Sequence, residues 1–123
     1  MSRQNRFRRP HKTKAIAERV QHSFERALHF HRAGDAAEAG RLYDEILALQ
    51  ADHIGALHLS GVLYLEQNRP ASAAKVLLSV TSLAPDLAPL QLIYGLALMQ
   101  LGRSDEALVP IQKAVRINPL YAE

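Results

Sequence analysis

Cysteine is absent from this 123-residue chain, which excludes disulfides, thiolate metal sites and a cysteine nucleophile together. No run approaching about 18 apolar residues occurs, so no stretch reads as a membrane span. Acid is missing from residues 1 to 14, yet no apolar region follows this basic start, so it does not read as a secretory signal. There is no Gly-rich phosphate loop, no G-x-S-x-G, no H-E-x-x-H and no alternating stretch that needs a strand. What remains is one domain's worth of helix-forming chain, for which the cytoplasm is the simplest setting.

The charge is placed unevenly. Arg3, Arg6, Arg8, Arg9, Lys12 and Lys14 form a basic arm near +6, while the remaining nine bases share the body with all 12 acids, leaving it near −3. Residues 1–12 hold little apolar content and include Pro10, so they read as a disordered arm ahead of a folded body at 13–123. Its basic cluster suits a solubilising segment. Nucleic acid is another partner it could serve, through phosphates, ahead of acidic lipid or acidic protein, although Phe7 alone offers little for base stacking.

Conventional catalytic groups do not assemble. His22 and His29 lie two turns apart on one helix, but no carboxylate completes a ligand set with them, and His31, His53 and His58 add none. Asp44-Glu45 and Asp105-Glu106 are adjacent pairs, so neither shares a helix face. The expectation is a chain without enzyme chemistry, metal or cofactor.

The informative feature is a period. Residues 33–51, 67–85 and 101–119 align without a gap at a spacing of 34. Small residues fall in register at Ala27, Gly61 and Gly95 and again at Ala39, Ala73 and Ala107, and Pro85 and Pro119 close two of the copies. A gapless period of this length marks a repeat array. Apolar spacing predicts six helices in pairs, the first of each over about 13–33, 54–67 and 88–101 and the second over about 36–50, 70–83 and 104–117. Pro70 and Pro89 fit a first helical turn, Ser104 reads as an N-cap, and Pro110 should cost the last helix one hydrogen bond. Small side chains let helix axes approach, so the Ala/Gly series marks where paired helices touch.

These small residues, the large ones at Phe30, Tyr64, Tyr43 and Leu77, the turns at Gly34 and Gly102 and the terminal prolines resemble the tetratricopeptide repeat family. Three repeats, about 20–53, 54–87 and 88–121, are covered, and the whole looks like the N-terminal array of a larger bacterial member. The resemblance implies an all-α, right-handed helical-hairpin solenoid and a protein-binding role. Ser23 and Arg26, where large apolar residues are usual, fit a polar end cap. No first helix of a fourth repeat follows helix 104–117, so Leu108, Ile111 and Val115 are candidates for exposure.

In such a stack the first helices line the concave surface. The resemblance therefore places Phe24, Leu28, His58, Leu59, Val62, Leu65, Leu92, Ile93, Leu96 and Met99 along a partner-binding groove. Helix 87–101 is apolar on nearly every face and so demands cover all round. The Lys, Asn and Arg of the family's carboxylate clamp are missing, with Phe24, Leu28, Leu59, Pro89 and Ile93 at those places. Glu25, Leu59 and Ile93 likewise replace the asparagine ladder of O-linked N-acetylglucosaminyltransferase arrays. The expected function is a scaffold that binds an apolar partner segment, or itself as a homodimer. Two readings stay open beside it. One is the substrate-recruiting arm of a glycosyltransferase-like enzyme with a catalytic domain beyond residue 123, and the other is a nucleic-acid adaptor using the basic arm.

Overall fold

The computed structural model describes the backbone of residues 2–122 and the side chains of residues 13–122. The expected disorder of residues 1–12 and the side chains of Arg3, Arg6, Arg8, Arg9 and Lys12 fall outside the fully described residues, whereas Lys14 is exposed on the first helix. Six α-helices and one short 3-10 helix follow one another, with no strand among the described residues. They are α1 (Ser2–Arg32), α2 (Ala36–Leu49), α3 (Ile54–Glu66), α4 (Pro70–Leu83), α5 (Ala88–Gln100), α6 (Ser104–Ile117) and η1 (Pro119–Ala122).

The chain divides into two units, Met1–Ala51 and Asp52–Glu123. The first is the α1–α2 hairpin. Val20, Ala27, Ala39, Leu42, Tyr43 and Ile46 form its core. The phenol of Tyr43, only 1% exposed, reaches Nδ1 of His31 at 2.7 Å, so the one polar atom of a core aromatic is satisfied. Ser23 is buried here, while Arg26 stays at the surface, 4.0 Å from Glu38.

The second unit holds α3 to α6, each packed against the next, with α3 also touching α5. Its core is built from Ala56, Leu57, Leu63, Ala73, Leu77, Val80, Leu90, Ala97, Leu98, Ala107 and Ala114. The close approaches occur at two glycines. A Cβ on Gly61 would lie 2.6 Å from Cδ2 of Leu77, and one on Gly95 would lie 2.5 Å from Cγ1 of Ile111. Gly61 and Gly95 are one period apart, as are Leu77 and Ile111, so both hairpins close by the same contact.

The turns inside the hairpins repeat too. Gly34, Asn68 and Gly102 share one register position and one conformation, with φ of 84°, 57° and 78°. In each turn the following N–H reaches back five residues: Asp35 to Phe30 at 2.9 Å, Arg69 to Tyr64 at 2.8 Å and Arg103 to Leu98 at 2.9 Å. The residue at the turn itself bonds three back, which makes each a Schellman stop that satisfies the last helical carbonyls. Asn is the non-glycine residue best suited to this left-handed region.

Helix starts are less uniform. Asp35 caps α2 by accepting from the Glu38 N–H at 3.1 Å, and Nδ1 of His53 accepts from the Ala56 N–H at 2.9 Å. Pro70 and Pro89 occupy first turns. Ser104 is not a cap: Arg103 holds that position, pairs with Glu106, and Ser104 is the first helical residue. Pro110 is buried inside α6, which runs through it unbroken.

Candidate functional site

Two stripes of side chains on the second unit form the site. On α3, His58, Val62 and Leu65 follow steps of four and three, which keep one helical face, and Leu59 lies beside them. On α5 the same steps give Leu92, Leu96 and Met99, with Ile93 beside them. Each α5 residue sits 34 positions after its α3 counterpart. His58, Leu59, Val62, Leu65, Leu92 and Ile93 are half-buried, while Leu96 and Met99 are 42% and 50% exposed. Phe24 and Leu28, half-buried on α1, belong to the first unit.

The opposite side of α5 explains why this face stays open. Ala88, Leu90, Gln91, Gly95, Ala97 and Leu98 are consumed in packing. Gln91 survives burial because its amide donates to the Pro85 carbonyl at 3.0 Å. The helix is apolar all round, as its sequence suggests, but among the described residues its full burial is confined to this one side.

The face has almost no formal charge. No acid or base occurs in α5, and the ionisable groups of α3 are Glu66, at its C-terminal end, Tyr64 and the half-buried imidazole of His58. Burial lowers the His58 pKa from its usual value, so the ring is neutral at pH 7. Such a face can exclude water from an apolar segment, and it offers no cation to grip a terminal carboxylate or a phosphate. Among the described residues, no group of three His, Asp or Glu could hold a metal, and no helix is long and apolar enough to cross a membrane.

The structural repeat positions serve a different purpose. Ala27, Ala39, Ala73 and Ala107 are buried with Gly61 and Gly95, whereas Pro85 is exposed beyond the end of α4 and Pro119 is exposed at the start of η1. Sequence reasoning passed over Asn68 as a turn residue, although its place one period from both Gly34 and Gly102 was the available signal.

Residues 30–96, more than half of the chain, match the sequence profile described as tetratricopeptide repeat, and residues 88–119 match a second profile of the same description. The chain belongs to the tetratricopeptide repeat family. Its fold class is the family's helical-hairpin solenoid, and that fold is one of protein-interaction modules. MamA from Desulfovibrio magneticus RS-1 is similar at 25% identity and a TM-score of 0.78, over 81% of this chain and 56% of that one. A mutant O-GlcNAc transferase from Thermobaculum terrenum gives 25% identity and a TM-score of 0.78, over 85% of this tetratricopeptide chain and 20% of the transferase. A MamA structure designated AMB-1, at 23% identity and a TM-score of 0.76, shares the fold. This chain thus spans a little over half of the MamA structures and a fifth of the transferase. No curated protein matches the sequence.

Proposed function

We propose that this tetratricopeptide chain is a scaffold whose α3–α5 face receives an apolar segment of a protein partner. The observation that supports the reading most is the exposure of Leu96 and Met99 on a helix whose neighbouring register positions, Leu92 and Ile93, are half-buried and apolar. Burying one such side chain contributes about 1.5–3 kcal/mol, so a patch of this kind is costly unless something docks on it. Phe24 and Leu28, one period before His58 and Val62, are proposed as partner-contacting residues of the first unit in its own right. The cytoplasm is the setting we assign.

A second reading draws on one observation, the likeness to the O-GlcNAc transferase, whose remaining four-fifths this chain does not span. In that reading the array recruits substrate to a transferase domain and itself does no chemistry. Its substrate segment would dock on the same face. Both readings are tested by Leu92→Glu and Leu96→Glu, which place charge on the face without touching the core contacts. Hydrophobic-dye binding should show uptake in the parent that falls in both variants, with the helical circular dichroism signal unchanged. A parent that binds no dye, or variants that bind it as well as the parent does, would leave the face without support.

A further inference from the structure

The second unit carries another uncovered surface, on α6, and the 34-residue register provides its control. Ala74, Leu77 and Thr81 lie on α4, which packs between α3 and α5, and they are 7%, 0% and 7% exposed. Their counterparts one period later on α6 are Leu108, Ile111 and Val115. Leu108 is 54% exposed and the other two are half-buried. Ile111 and Val115, with Gln112 and Arg116, line an open depression of about 420 Å³. The same repeat position is therefore core on one helix and surface on the other.

The charges bordering this surface have a particular order. Asp105 and Arg116 are eleven residues apart, close to three helical turns, so they stand on one side of α6 about 16 Å apart along its axis. Leu108, Gln112 and Val115 lie between them. Both charged residues are exposed, and neither enters an ion pair among the described residues. Acid at one end and base at the other make the strip complementary to itself when a second strip runs antiparallel.

We propose that α6 pairs antiparallel with α6 of a second copy of this chain about a two-fold axis that crosses the strip midway between Asp105 and Arg116. Asp105 of each copy then meets Arg116 of the other, twice over, and Leu108 of each lodges between the other's Gln112 and Val115. The antiparallel arrangement also opposes the two helix dipoles. A two-fold contact of this kind is self-complementary and closes at two copies. One helix pair is a small interface, so the dimer is weak, with a dissociation constant on the order of 100 µM. The proposal is independent of the α3–α5 face, which it leaves open to a partner.

The test is sedimentation equilibrium of the full chain from about 10 to 1,000 µM, a range that brackets this affinity. Asp105→Arg and Arg116→Asp should each weaken the dimer by about tenfold, because each creates two like-charge contacts. The double variant Asp105→Arg/Arg116→Asp should recover to within about threefold of the parent, the signature of a direct pair. Each reversal also opposes the dipole of its own helix, so a purely structural role makes the double variant the worst of the three. Leu108→Lys, at a site already exposed, should abolish the dimer, and Leu96→Glu should leave it intact, with circular dichroism verifying the fold of each. A monomer across the whole range overturns the proposal. So does an unrestored double variant, and so does association that Leu96→Glu destroys and the charge reversals do not touch. A surface that binds only some other protein overturns it as well.

Discussion

Replacing Gly61 with alanine sets two effects of known sign against each other. In a helix interior the change from glycine to alanine favours folding by about 1 kcal/mol through backbone entropy. The added methyl, however, would lie 2.6 Å from Cδ2 and 2.7 Å from Cγ of Leu77. Leu77 is 0% exposed, so its side chain has no open space to swing into. Overpacking of this kind costs about 1–3 kcal/mol, which leaves a net loss on the order of 1 kcal/mol. That corresponds to a melting temperature lower by roughly 4 °C for a domain of this size. Gly95→Ala makes a useful partner experiment. Its nearest atom is closer, Cγ1 of Ile111 at 2.5 Å, but Ile111 is half-buried and can yield towards solvent. Gly95→Ala should therefore cost less than Gly61→Ala despite the shorter distance. Gly95→Leu should still destabilise by about 1–3 kcal/mol, because the Ala107 carbonyl, 3.3 Å from the Cβ position, is backbone and cannot move aside. Thermal melts of the three variants supply the ranking. In a double-mutant cycle with Leu77→Ala, Gly61→Ala should show a favourable coupling of about 1 kcal/mol. A Gly61→Ala protein that melts at or above the parent temperature would refute the steric argument and leave propensity alone in control.

Two further variants probe other parts of the fold. Asp35→Ala removes the acceptor for the Glu38 N–H, and urea denaturation should register a loss of about 0.5–2 kcal/mol, with Asp35→Asn losing much less. His58 connects stability to pH. Burial holds its folded pKa below the usual 6.5, so on acidification the unfolded chain takes up this proton first. Its contribution is fully present at neutral pH and shrinks as pH falls through about 6.5 towards the folded pKa. Melts at pH 7.5 and pH 5.5 should differ less in His58→Leu than in the parent, and an identical difference would show that His58 is not linked to folding.

Much of this fold was legible because the repeat is gapless. The 34-residue register located α2 to α6 to within a residue and marked Gly61 and Gly95 as close approaches, since packing geometry recurs when sequence does. What the register hid were local substitutions that preserve geometry with different chemistry. Asn68 stands in for glycine at a left-handed turn, and Arg103 occupies the start of α6 where Ser104 has the better capping chemistry. Both are cases in which the surrounding hairpin fixes the backbone and the side chain follows. The α3–α5 face was legible as apolar from its residues, whereas its openness was legible only through the family resemblance, which placed it on the concave side. Exposure depends on which neighbours α5 has, and a pattern apolar on every side carries no mark of the side left uncovered. The contrast between Leu77 and Ile111 makes the same point, since nearly equivalent side chains in one register differ only in what lies over them.

The central claim is that the α3–α5 face binds protein, and amide NMR of the labelled full chain titrated with short peptides of apolar core tests it most directly. The account predicts saturable shifts that concentrate at His58, Leu59, Val62, Leu65, Leu92, Ile93, Leu96 and Met99 and disappear in Leu96→Glu. Shifts that gather on another surface and survive Leu96→Glu, or no saturable shift with any apolar peptide, would contradict it.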